Sequence, residues 1–512
     1  MTRTLIILEK ASLIKPLRAA LGSSYEYKAL SGHFMTPNYP LEIQKTPWSK
    51  IDIKYLVTQP IEYQPLSPKF YKDLSKTLKE KWTQVVIATD PDVQGNFMGL
   101  LLTNLNPKLN YTRINLETLE PAGIKKSFDE RVTFERNTGF QGQIKSRVDY
   151  LVGTVFSRYA SLRHYNQKKI WKTLTVGRVQ TPTLNFVKTR EKEIKDFTPE
   201  VKNRAYLGEI KTPWFMEEGQ SLEVKVNISP LKIKIVNSFP GLNTDQLVLK
   251  LSTSPLYKKG ETIMSDLEDL YLKGIISYPR TDNNSYANYP ELLKKSLEIF
   301  EVYYSSKPVT PKLKPLKSTD HGPITLLDLS EDGFSKGQSL IKKTLLEQLS
   351  KSFSGDNSYD QYLVTTEHPE LGVFKYHWLK IKEKVFEDGV TSYNSTPEFS
   401  PILKILKETS RPPSRYTFTT LFKKMVSEKI GTKSTRGVII DNLVARGYLT
   451  MAENLKPSPW VDVLWAYLEP KLSFLTSPEF TRDLEQRAKL MVLKKDLEEV
   501  QKSYRVKFLE SL

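Results

Sequence analysis

Short apolar runs that end on charge set the frame of the N-terminal part of the chain. Leu5 to Leu8 breaks at Glu9 and Lys10, after which Leu13, Leu17, Ala20 and Leu21 recur at helical spacing until Gly22 closes the pattern. The same theme returns at Gln84 to Ala88, where QVVIA reads as a buried strand running into Thr89-Asp90-Pro91-Asp92 and a helix from about Asn96. An open α/β sheet binds its ligands at the carboxyl ends of its strands, so Glu9, Asp90 and Asp92 are expected on one rim. The turn Ser31-Gly32-His33-Phe34 between the two units is expected to bring His33 to that rim.

The period then changes several times. Gln141 to Phe197 is helical, and Arg147, Arg158, Arg163, Lys168, Lys169, Lys172, Arg178 and Arg190 punctuate it. Such charge is most often a solvated face, but here it interleaves with Tyr159, Tyr165 and Trp171, flat surfaces on which bases stack. Thr198 to about Pro255 alternates, with SLEVKVNI and LKIKIVN reading as antiparallel strands. Helical spacing returns from Gly260, with Met264, Leu267, Leu270 and Tyr271 on one face, Gly274 as the cap and IISY as a strand. A lysine- and proline-rich stretch, Ser305 to Thr319, leads to Asp320-His321-Gly322-Pro323. After a helical region at Leu340 to Leu349, strands resume in YLVTT, FKYHWLKI and Ile402 to Leu406. The two β-rich stretches are expected to form one domain, interrupted by a helical insert that moves as a unit on two linkers. From Pro412 onward, Leu421, Phe422 and Met425, a turn at Gly431, then Val438, Ile439, Leu443 and Val444, Gly447 and Tyr448-Leu449-Thr450 spell helix, turn, helix, wing. That arrangement fits DNA binding and plain helical packing equally well.

Composition narrows the partner. A chain of 512 residues is too long for one core and should hold several domains. Its formal net charge of +18 points to a polyanion. Nucleic acid is favoured over an anionic membrane, because no apolar run approaches the ~20 residues of a span and there is no polybasic tail. The first apolar run is too short for a signal peptide, so a cytosolic protein is expected. The absence of cysteine excludes disulfides and Cys-based zinc ribbons, leaving oxygen ligands or the five histidines for any metal.

Candidate chemistry centres on LKGIISYPRTD, Leu272 to Asp282. Pro279 biases Tyr278 toward extended geometry, in which Tyr278 and Arg280 share a face. Ionising a phenol of pKa ~10 at neutral pH costs roughly 4 kcal/mol, so a nucleophilic tyrosine needs a nearby cation or base. Arg280 and Lys273 are the candidates for that charge.

Together these stretches resemble a type IA DNA topoisomerase over nearly the whole chain and in the family's order. The matching motifs are LIILEKAS, SGHF, ATDPD, RVDYLVG with FSR, LTVGRVQTPTL, GIISYPRTD, DHGPI, and PPSRYTFTTLFKKM followed by GTKSTR. GIISYPRTD and GTKSTR are closest in wording to archaeal members. The resemblance implies a multidomain fold, α/β plus mainly α, in which an N-terminal Toprim α/β domain, winged-helix-like helical domains and a β-rich arch form a toroid. The Toprim domain would span 1–140 and a helical DNA-binding domain 141–197 and 406–512. The arch would span 198–255 and 353–405, and the helical insert carrying the tyrosine 256–352.

By the same resemblance Tyr278 would attack a phosphodiester of one strand and keep its 5′ phosphate. It would pass a strand through the gap and religate, relaxing negative supercoils or decatenating. Transesterification conserves the bond energy, so no ATP is needed, and GxxxxGK[ST] is absent. Glu9 would exchange a proton with the 3′ oxygen, and Lys10 and Arg280 would offset phosphate charge. Glu9, Asp90 and Asp92 would hold Mg²⁺. His33, Arg178, Gln180, His321, Arg415 and Thr435 would bind DNA, with Arg147, Asp149 and Arg158 ordering the region beside it. The implied partners are a single-stranded segment for cleavage and a duplex or second strand for passage, with a helicase or single-strand-binding protein alongside a monomeric enzyme.

Two departures stand out. The family carries a third acid two residues after the second and another at the end of that motif, whereas DPDVQGN has Gln94 and Asn96. Glutamine keeps an oxygen donor and loses a charge, so weaker metal binding is expected. Three outcomes are open: a higher magnesium requirement, good cleavage with poor religation, or DNA binding without turnover. The first is expected, because Glu9, Lys10, Tyr278 and Arg280 all remain. The lack of cysteine also removes the zinc modules that many relatives append. The alternative function is a weakened relative that binds single-stranded DNA, and a Toprim nuclease or primase is a third class, with the acids but no use for Tyr278.

Overall fold

The computed structural model describes residues 3–30, 32–217, 222–236, 241–257, 260–310, 321–354, 357–381, 392–393, 398–451, 453–469 and 471–512. Ser31, Asp320 and most of the lysine- and proline-rich stretch lie outside them.

The chain opens with strand β1 (Thr4–Leu8), helix α1 (Ile14–Leu21), and strands β2 (Glu26–Ala29) and β3 (Gln84–Ala88). Helix α2 (Val93–Leu105) and strands β4 (Tyr111–Arg113) and β5 (Val132–Thr133) follow. The sheet order is β2-β1-β3-β4-β5, parallel except for β5. β1 and β3 are apolar nearly throughout, as strands covered on both faces must be, and their carboxyl ends carry Glu9 and Asp90. Helix α2 begins at Val93 because Asp92 caps it, its Oδ1 accepting from the backbone N–H of Gln94 at 3.0 Å and of Gly95 at 2.9 Å. A Cβ on Gly95 would sit 1.9 Å from the Asp90 carbonyl oxygen, so the acidic turn closes this tightly only over glycine.

Helices α3 (Phe140–Leu151), α4 (Ser157–Lys168) and α5 (Gln180–Lys195) form the next part, with a π turn at Val152–Phe156 joining α3 to α4. Two four-stranded sheets then draw on both sides of the insert. In one, Ile402–Thr409 pairs antiparallel with Val201–Leu207. In the other, Lys225–Val236 pairs with Asn357–His368, bringing Val236 opposite Asn357. The chain therefore leaves for the insert and returns from it on neighbouring strands.

The insert holds α6 (Thr244–Leu251), α7 (Gly260–Leu272), α8 (Pro290–Tyr304) and α9 (Lys336–Phe353). Helix α6 falls in a stretch expected to be β-rich. It forms because Asn243 and Gln246 make a reciprocal capping box and Leu247, Val248 and Leu251 are buried. IISY, expected as a strand, has no ladder: Ile276 makes one isolated bridge to Leu326, and the Tyr278 N–H instead donates to the Glu117 carbonyl at 2.8 Å. The C-terminal part has α10 (Phe418–Ser427), α11 (Arg436–Ala445), the paired wing strands Leu449–Met451 and Leu455–Pro457, α12 (Pro478–Lys489) and α13 (Lys494–Ser511).

One continuous apolar core joins a face of the N-terminal sheet, the helices and the insert, including Ile6, Val148, Leu267, Tyr278 and Leu443. The other sheet face (Leu5 and Ile7, packed with Phe97 of α2) and the β-rich domain (Ala205, Trp214, Val364) have cores of their own. The insert is thus docked as part of the main body, with Tyr278 inside the seam. No helix among the described residues is long and apolar enough to cross a membrane.

Candidate active site

The carboxyl ends of β1 and β3 meet the insert at a polar seam. Tyr278 donates its Oη hydrogen to Asp92 Oδ2 at 3.1 Å. Its ring is 2% exposed and lies edge-on between Tyr271 and His321, with centroids 5.4 and 5.1 Å away. Burial, reinforced by the charges of Asp92 and Asp90, pushes the phenol well above its ordinary range, and Arg280 pulls it back. Tyr278 is therefore a neutral donor in this arrangement.

Arg280 Nη1 lies 3.2 Å from Asp90 Oδ2 and 3.4 Å from Asp92 Oδ2, while Nη2 reaches Glu268 Oε2 at 3.2 Å. Lys10 Nζ pairs with Glu268 Oε1 and stands 3.7 Å from Asp90 Oδ2 and 4.0 Å from Glu9 Oε1. Glu9 Oε2 accepts from the Asp90 N–H at 3.0 Å. Burial first, and the charge of Asp90 second, push the Glu9 carboxyl up to about 7. Beneath the acidic turn the buried Arg113 donates to the Thr89 carbonyl at 2.8 Å and the Asp90 carbonyl at 2.7 Å. Its burial lowers it to about 10 against the pull of the acids. His321 Nε2 meets the Pro91 carbonyl, and its Nδ1 is 3.6 Å from Glu117 Oε1. His33 reaches the rim through Gln94, with Nδ1 to Nε2 at 3.2 Å. Partial desolvation holds its imidazole below its ordinary range, although Asp92 pulls upward.

Glu9, Asp90 and Asp92 supply the hard oxygens that a divalent cation takes, and the rise of Glu9 comes first from burial and then from the charge of Asp90. Among the described residues, however, no three His, Asp or Glu side chains converge closely enough to hold an ion. The expected ligands share one rim, with carboxylate oxygens turned toward Lys10, Arg280 and Tyr278.

Other expected residues lie elsewhere. Lys273 turns to Gln338 Oε1 at 3.4 Å and to the Phe334 ring. Arg178 is buried, with Nε 2.7 Å from Asp149 Oδ1 and Nη1 3.2 Å from Glu485 Oε1, so it clamps α3, α5 and α12 together. Gln180 donates to the Thr175 carbonyl at 3.1 Å and accepts from Arg446. Arg147 donates to Gln501 at 2.8 Å, and Arg158 stacks on Trp48 at 5.0 Å. Arg415 pairs with Glu191 at 2.6 Å, and Thr435 bonds within its own turn to Thr432. Two residues in the seam had gone unremarked. Arg113 stands in a strand whose three residues are all buried, and Glu268 follows Leu267 in the apolar pattern of α7; a charge so placed is the signal that pattern alone passes over.

Residues 135–496 match the DNA topoisomerase family and residues 4–119 match the Toprim domain. DNA topoisomerase 1 of Archaeoglobus fulgidus is 25% identical over 90% of this chain and 74% of its own length. DNA topoisomerase 1 of Thermoplasma acidophilum is 27% identical over 91% of this chain and 64% of its own length, so the chain spans under two thirds of that relative. Full-length topoisomerase I from Thermotoga maritima superposes with a TM-score of 0.70 at 19% identity, covering 99% of this chain and 88% of that one, a likeness of multidomain toroidal fold. The tyrosine and arginine of the insert, facing an acidic Toprim rim within a chain matched along most of its length, place it in the type IA DNA topoisomerase family.

Proposed function

We propose that the chain is a working type IA topoisomerase, ATP-independent and magnesium-assisted, whose nucleophile is Tyr278. The observation that carries this is the Tyr278 hydroxyl, 3.1 Å from Asp92 and beside Arg280, at the strand ends of a Toprim sheet. Tyr278 Oη would form a bond to the phosphorus of one strand as the bond to the 3′ oxygen breaks. The tyrosine proton passes to the rim carboxylates, the nearest being Asp92. Glu9, titrating near neutrality, supplies a proton to the departing 3′ oxygen and takes it back on religation. Lys10 and Arg280 offset the charge that grows on the phosphate. A divalent cation held by Asp90 and Asp92, with Glu9 beside them, would add further positive charge there. DNA is the partner, with a single-stranded segment at the seam and a second strand or duplex passing the gap. Relaxation of negative supercoils or decatenation would follow.

The test is to incubate the protein with end-labelled single-stranded DNA and Mg²⁺, stop with detergent, and look for labelled protein. A 3′ label is expected to stay with the protein and a 5′ label to leave, because the tyrosine keeps the 5′ phosphate. Tyr278→Phe is expected to abolish the adduct. Binding without an adduct would mark a binding protein, and free cleaved ends without one a nuclease.

A further inference from the structure

Glu268 belongs to none of the motifs that place this chain in its family, yet it sits at the centre of the seam. It rises from α7 on the insert, and its two oxygens are divided between Lys10 of the N-terminal domain and Arg280 of the insert itself, the latter at 3.2 Å. These are the two cations assigned to the scissile phosphate. A carboxylate that bridges two cations through separate oxygens presents the same pattern as the two non-bridging oxygens of a phosphodiester.

We propose that Glu268 is a positioning residue, an internal anion that occupies the phosphate-binding cations while the insert is closed and is displaced by the DNA backbone. Its bond to Lys10 crosses the seam and its bond to Arg280 does not, so one side chain both aligns the cations and fastens the insert shut. The other acids near Lys10 stand at 3.7 and 4.0 Å, so once Glu268 leaves, Lys10 is held only at longer range and is available to phosphate. The Glu268 side chain is 28% exposed, so it can swing into water without leaving a bare buried charge.

The inference rests on the strand-cleaving reading, and the experiment separates the two. In the full-length Tyr278→Phe chain, which forms no adduct, the Kd of a fluorescent single-stranded oligonucleotide is measured at fixed salt with and without Glu268→Gln. A contact engaged about nine-tenths of the time weakens apparent affinity about tenfold, so Glu268→Gln is expected to tighten binding by about that factor. Glu268→Asp is expected to restore most of the weaker binding. In chains that keep Tyr278, KM for oligonucleotide cleavage is expected to fall without a rise in kcat. Unchanged or weaker binding by Glu268→Gln overturns the inference, as does a fall in kcat at constant KM, the mark of a purely structural role. Absence of any adduct from the unaltered chain overturns the strand-cleaving reading instead, and the binding comparison still reads Glu268.

Discussion

Gln94 gives its amide to His33 Nδ1 at 3.2 Å, so it ties the histidine to the rim and leaves the acidic turn one charge poorer than the family pattern. Gln94→Glu is expected to lower the Mg²⁺ concentration at half-maximal relaxation of negatively supercoiled plasmid, by up to about tenfold. Equal magnesium dependence in the two proteins would sink the idea. Arg178 makes a different case. The family resemblance implied a DNA contact for it, but the carboxylates that neutralise it come from Asp149 and from Glu485, hundreds of positions later. Arg178→Ala leaves those acids facing one another, and a loss of roughly 3 kcal/mol in denaturant unfolding is expected, with little specific effect on DNA affinity at matched folding. Glu9, Asp90, Asp92, Tyr278 and Arg280 could be singled out because each stands at the end of an apolar run or beside a proline. Glu268 could not, because its partners are set by how two distant elements dock.

Where the insert docks, α7 meets α11 at Gly260 and Gly437. A Cβ on Gly437 would lie 2.8 Å from the Gly260 Cα, so the two helices cross at backbone contact and neither position has room for a side chain. Gly437→Val is expected to push the helices apart at a cost of about 1–3 kcal/mol and to expose the seam. Hydrogen exchange checks this: amides from Ile275 to Thr281 should lose protection while the strands of the β-rich domain keep theirs. Helix-and-wing periodicity in the C-terminal part was readable from the chain because local spacing decides it. The fate of IISY was not, since a segment that donates to Glu117 across the seam has the same apolar pattern as one that donates to a neighbouring strand. The helical turn at Thr244 was likewise masked by its short length, and only the Asn243 cap announces it.

Ion pairs also fasten the insert to the helical body. Arg436 is buried and doubly paired with Asp245 at 2.6 and 2.7 Å, and Lys433 meets Asp282 at 2.9 Å. Asp245→Asn leaves a buried guanidinium without its counter-charge, a change that costs about 3–5 kcal/mol where the structure cannot relax. An insert that opened would relieve that cost, so the variant is expected to open more often. A donor and acceptor dye on α8 and α13 should report a larger low-transfer population, and an unchanged distribution would show that this contact does not hold the insert closed. The insert hangs from Lys225–Val236 and Asn357–His368, whose ends at Val236 and Asn357 lie side by side. A pull on the insert therefore loads both strands lengthwise in the same direction. It neither unzips the rungs between them nor shears one strand past the other, so a load on the insert would pass along covalent backbone into two neighbouring strands of a four-stranded sheet.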